Sequence, residues 1–148
     1  MAVQTGVRSL TGSPEQAIRW LLLTNPVVAK YIGSGIYPLI AAPSERLPFL
    51  VYQRQSATRT PVLQSMSSVA PTEIIEVSAY AETYAEVREV ARSVRAALDG
   101  YTGNVLGTKI EGIQPQSENE DYVSFGGEQL AAAYQITMTF TVQWQETT

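Results

Sequence analysis

Glu118, Glu120 and Asp121 form the tightest group of chemistry-bearing side chains in the sequence. Hard carboxylate oxygens at this spacing suit Ca²⁺ or Mg²⁺, and a pair of carboxyls can act as acid and base in glycoside hydrolysis. A solvated acidic loop explains the same run without any partner. The second group is cationic: Arg88, Arg92 and Arg95 recur at i, i+4 and i+7, which places three guanidinium groups on one side of a helix. There they could meet phosphates or a partner's carboxylates. An ordinary charged helix face is the simpler reading, because Glu86 and Glu89 dilute the field.

The rest of the catalytic inventory is thin. Histidine is absent, which removes the commonest general base and metal ligand. Cysteine is absent as well, excluding thiol catalysis, zinc-thiolate sites and disulfides. The only lysines, Lys30 and Lys109, stand three residues after Val27 and Leu106, so no Ser-x-x-Lys nucleophile is formed. Neither GxxxxGK[ST] nor GxGxxG occurs, and the isolated Gly33-Ser34-Gly35 reads as a turn. These residues imply no cofactor and no metal, and they argue against an enzyme. A small carboxylate-dependent hydrolase remains as the enzymatic alternative.

The elements that must carry these side chains follow from composition and period. A chain of 148 residues with 45% hydrophobic and 16% charged residues suits one globular domain. We place it at residues 13–148, after a flexible arm at 1–12 that is rich in Ser, Thr and Gly. The net charge of -4 argues against a general nucleic-acid or anionic-membrane binder. The strongest apolar runs, Trp20 to Leu23 and Phe49 to Tyr52, fall far short of the roughly 20 residues of a membrane span. The N-terminus lacks the basic-then-apolar layout of a signal peptide, so the protein is expected to stay in the compartment where it is made.

Ser13, Pro14 and Gln16 read as cap, first helical residue and capping-box partner, predicting a helix to about Leu23. Asn25-Pro26 repeats the signal for a short helix over Val27 to Ile32, ended by Gly33. GSGIYP, Gly33 to Pro38, reads as a turn, and Leu47 to Gln55 as a strand with two substantially buried faces. Ala57 to Pro71 reads as a long exposed loop. Glu73 to Ala81 reads as a strand with Ile75, Val77 and Ala79 on one face. Thr83 and Glu86 box the start of the strongest helix, whose apolar face is Val87, Val90, Ala91, Val94 and Leu98, stopping at Gly100.

Thr108 to Gln114 is then a strand and Ser117 to Gly127 an acidic, Gly-containing long loop, within a loop stretch reaching Ala133 where partner contacts are expected. In Tyr134 to Trp144, six apolar residues from Tyr134 to Trp144 alternate with Gln135, Thr137, Thr139, Thr141 and Gln143, so one face is core. Trp20 is expected to pack the first helix onto that face. The expected fold is α+β: a mainly antiparallel four-stranded sheet with helices packed on one face.

Five stretches, in their order and spacing, resemble the tail-completion or tail-terminator family of long-tailed phages and phage-like gene-transfer particles. They are LLLTNPVVAKYIGSGIYP from Leu21 to Pro38, LPFLVYQ from Leu47 to Gln53, SAYAETYAEV from Ser78 to Val87, VRAALDGYTG from Val94 to Gly103, and the alternating last strand. Together they run through nearly all of Ser13 to Trp144. The resemblance implies a virion structural protein that assembles in the host bacterial cytoplasm. As a ring-forming subunit, typically hexameric, it would cap the head-proximal end of the tail tube and stop its growth. Its implied partners are further copies of itself, the tail-tube protein and a head-completion or connector protein. DNA would pass the lumen without tight binding. A head-completion adaptor or a tail-tube ring protein of the same particle is the nearest alternative. Candidate subunit or ring-to-ring contacts are Arg54, Arg59, Met66, Arg88, Arg92, Arg95, Glu118, Asp121, Tyr122 and Phe125. The loop bearing Arg59 and Met66 is expected to order on contact with a neighbour.

Overall fold

The computed structural model describes residues 13–39, 46–58, 72–124 and 132–146. Helices α1 (Pro14–Thr24) and α2 (Pro26–Ile32) come first. Strands β1 (Ile36–Pro38), β2 (Phe49–Thr58) and β3 (Thr72–Ala81) follow, then α3 (Tyr84–Leu98). Strands β4 (Gly103–Val105), β5 (Thr108–Ser124) and β6 (Ala132–Glu146) complete the chain. The six strands form one sheet in the order β1-β2-β3-β6-β5-β4. Every pairing is antiparallel except β1 with β2, which is parallel.

The predicted caps are in place. Ser13 Oγ accepts the Gln16 N–H at 3.3 Å, and Asn25 Oδ1 accepts those of Val27 and Val28 at 3.0 and 3.1 Å. Thr83 Oγ1 accepts the Glu86 N–H at 3.1 Å, satisfying one of the N–H groups that a helix start leaves without an internal partner. Thr83→Ala is expected to cost about 1 kcal/mol, measurable as a lower urea midpoint with an unchanged slope. Gly100, at φ +77°, turns the chain after α3 and donates its N–H to the Ile113 carbonyl at 2.9 Å.

The core lies between the helices and one face of the sheet. Ala17, Ile18 and Leu22 of α1 and Val87, Val90, Val94 and Leu98 of α3 pack on Ile75, Val77, Ala79, Ile136, Met138, Phe140 and Val142. The opposite face carries Gln135, Thr137, Thr139 and Glu76, joined across strands by Ser78 Oγ to Thr137 Oγ1 at 3.2 Å and Gln53 Nε2 to Glu76 Oε1 at 2.9 Å. The strand expected to be buried on both faces is so: Leu50 and Tyr52 join the core, while Phe49 and Val51 are buried on the other side. There Phe49 stacks between Tyr37 and Tyr80, with ring centroids 6.0 and 5.0 Å away.

The structure corrects several expectations. The sheet has six strands rather than four. The turn expected at Gly33 to Pro38 contains β1, and β4 lies beyond Gly100. Each is only three residues long and is held by its neighbour's backbone, too short for any side-chain period to announce it. The acidic run at Ser117 is not a loop: β5 continues to Ser124, its residues pairing with β6 as far as Ala132. Ala57 and Thr58 belong to β2, and the rest of the loop expected at Ala57 to Pro71 lies outside the described residues, as does the arm at 1–12. Trp20 is 43% exposed and does not pack the first helix onto the last strand. Tyr134 is partly buried at the border of the core.

Candidate functional site

The acidic run and the arginine stripe meet. With the helix face of β6 defined by Met138, Ile136 and Tyr134, the register sets Glu118, Glu120 and Tyr122 of β5 beside them on the α3 side, and Asn119 and Asp121 on the opposite face. Arg95 Nη1 lies 2.6 Å from Glu118 Oε1. Arg88 Nη1 lies 3.6 Å from Glu120 Oε2 and donates to the Tyr84 hydroxyl at 3.2 Å, which in turn donates to Glu120 Oε1 at 2.8 Å. Arg92 pairs with Glu89 on its own helix at 3.6 Å. These are solvent-facing ion pairs, so their worth is in holding β5 against α3 in one arrangement rather than in stability.

The geometry also bears on the chemistry first considered for this run. Glu118 and Glu120 are each engaged by a guanidinium, and Asp121 points to the other face of the strand. The three carboxylates do not converge on one point. Among the described residues no group of three or more His, Cys, Asp or Glu is placed to hold a metal ion.

Beyond the ion pairs lies an exposed aromatic cluster. The Tyr134 ring is 5.8 Å from Tyr84 and 4.8 Å from Tyr122, both edge-on, and Tyr122 is 61% exposed. Tyrosine and arginine together at a rigid surface are the composition of protein-binding patches. Next to them Arg95, Pro115, Gln116, Ser117, Glu118 and Met138 line an open cleft of about 280 Å³, opened where β5 bulges between Pro115 and Ser117. Thus Arg88, Arg95, Glu118 and Tyr122 are brought together by α3 and β5. Asp121 is on the far face, and Arg92, between Arg88 and Arg95 on α3, pairs with Glu89 instead of with β5. Arg59, Met66 and Phe125 lie outside the described residues.

Arg54 sits apart, on β2, with Nη1 3.7 Å from Glu73 Oε2. Glu73 is only 2% exposed, and its Oε1, like Glu15 Oε1, has no hydrogen-bond partner. Burial first, then the charge of the Glu15 carboxyl and the hydrogen bond the two carboxyls can share once one is protonated, push Glu73 up to about 7, and Arg54 pulls the other way. Sequence reading missed this carboxyl pair. A signal existed: Glu73 shares its parity with Ile75, Val77 and Ala79, so the pleat that buries them buries it.

A sequence model described as tail completion protein gp17 matches residues 16–141, a span reaching from α1 into β6. Among solved structures, a chain of the virion of a native gene transfer agent (GTA) particle superposes with a TM-score of 0.66 at 15% identity, covering 90% of this chain and 95% of that chain. At that identity the likeness is one of fold. No curated protein matches the sequence.

Proposed function

Because the chain belongs to the tail completion protein gp17 family, and is thereby a structural protein of the phage tail, we propose that it forms a ring, six copies in the simplest case, on the head-proximal end of the tail tube. The ring ends tube polymerisation and offers the joint to the head connector. The observation that carries this reading is the extent of the family match, which takes in most of α1, all of α2 and α3, and most of the sheet. The surface supports it. Among the described residues the sheet keeps unpaired strand edge and a largely polar outer face, hazards for a solitary domain that a closed symmetric assembly removes.

The arrangement favours assembly over hydrolysis, since the carboxylates of β5 are paired with arginines and divided between two faces. The net charge of -4 suits a passage that does not hold DNA, so purified protein should show no tight duplex binding at physiological salt.

Particles produced without this chain are expected to carry tubes of uncontrolled length that fail to join heads, and adding the purified protein should cap one end of preassembled tubes. Tails of normal length joined to heads in its absence would refute the proposal. Self-polymerisation of the purified chain into long filaments would instead identify a tube subunit.

A further inference from the structure

β5 is covered on its outer side only at its start. β4 pairs with Thr108 to Ile110, and the Gly100 N–H meets the Ile113 carbonyl. From Gln114 to Tyr122 every residue is exposed, and among the described residues nothing pairs with the outer edge. Antiparallel pairing alternates which backbone groups face the partner. Because the Ile113 carbonyl faces outward, its pair Val142 turns towards β3, and so do Phe140, Met138 and Ile136 in step. Their β5 partners Pro115, Glu118 and Glu120 therefore turn their backbone outward. Pro115 fits, having no N–H to offer. This edge is held straight from behind by the Arg95–Glu118 and Arg88–Glu120 pairs.

The opposite side of the sheet has the complementary gap. β1 pairs with β2 only at Leu50 to Tyr52, and the Leu39 N–H meets the Tyr52 carbonyl. The outer edge of β2 from Gln53 to Thr58 has no partner among the described residues. Arg54 projects there on the helix side, because its partner Ile75 is a core residue.

We propose that the open edge of β5 takes the open edge of β2 from a second copy of this chain, continuing the sheet from subunit to subunit. The inference rests on the ring reading and states how the ring is joined. Three features choose this occupant. Three antiparallel steps separate β2 from β5, so rotation about an axis along the strands brings a neighbour's β2 antiparallel to β5. The faces match, since Arg54, Glu118 and Glu120 all stand on the helix side. The charges match: Gln114 to Tyr122 holds Glu118, Glu120 and Asp121 with no Lys or Arg, while Gln53 to Thr58 holds Arg54 and no acid. A symmetric β5-to-β5 contact would instead oppose those acids to their own copies, which is unfavourable. A head-to-tail contact of unlike surfaces closes as a ring when its rotation divides the full turn without a rise along the axis.

The natural chain has no cysteine, so single thiols report the contact. Copies carrying Gln53→Cys, mixed with copies carrying Ser117→Cys, should be joined by a short bismaleimide in assembled protein and in particles, because the register through Glu76 and Thr139 sets the two positions level and neighbouring strands lie only about 5 Å apart. Neither variant alone should cross-link. Glu120→Pro, which removes an outward N–H, should abolish ring species in native mass spectrometry, whereas Glu120→Gln should retain them. Rings that form without the mixed cross-link, or that survive Glu120→Pro, overturn the edge pairing and leave the ring reading standing. Cross-linking of Ser117→Cys to itself overturns it in favour of a symmetric contact. Protein that is single in solution and in particles defeats the ring reading itself.

Discussion

Phe140→Ala is expected to lower the free energy of unfolding by about 3–5 kcal/mol, while Thr139→Ala beside it should change it by less than about 0.5 kcal/mol. Phe140 is fully buried. It stands on β6, with Ile75 of β3 on one side and Pro115 of β5 on the other, and its ring points into the layer filled by α1 and α3. Truncation loses the transfer energy of the ring and leaves a cavity that helices on one side and a sheet on the other can only partly fill. A domain of this size has roughly 5–15 kcal/mol in hand, so the variant should unfold some 10–20 °C below the parent. Thermal and urea unfolding followed by circular dichroism would check this. Equal losses at positions 139 and 140 would contradict the one-sided core.

That contrast was readable from sequence because β6 meets the condition under which a strand announces itself: one face covered by helices, the other not. Its alternation of apolar residues with Gln and Thr is the direct imprint of that environment. The caps of α1, α2 and α3 were equally legible, being local hydrogen bonds whose donors and acceptors lie within three residues. The outer half of β5 fails the condition. Exposed on both faces from Gln114 to Tyr122, it has no apolar alternation and takes its extended form from pairing with β6, so its acids read as a loop. The same non-locality hid the site. Arg95 and Glu118 are 23 residues apart in sequence, and nothing in the spacing of either cluster points to the other. Trp20 errs in the reverse sense, a large apolar residue left at the surface, which folded proteins commonly permit.

Glu73→Gln is expected to remove a pH dependence that the parent protein carries near neutrality. The carboxyl stands on the core face of β3, beneath Glu15 in the first turn of α1 and beside Arg54 of β2. Burial raises it most, the Glu15 charge adds to this, and Arg54 opposes both, leaving it at about 7 against 4.5 for a free side chain. Between those two values the folded protein keeps a proton that the unfolded chain has released. The contribution of this group to stability is therefore fully present below about pH 4.5, falls as pH rises to about 7, and levels off above it. At 1.36 kcal/mol for each unit of pKa, the loss attributable to this group is roughly 3 kcal/mol. Urea unfolding at pH 5 to 8.5 should show Glu73→Gln close to the parent at pH 5 and more stable at pH 8.5. Glu15→Gln should shrink the dependence without abolishing it, because desolvation, the larger cause, stays. A parent-minus-variant difference that is flat across the window would show that Glu73 is ionised throughout. The expected slope instead would mean that the docking of α1 onto the sheet loosens as pH rises past neutrality, where Glu73 gains a charge beside Glu15.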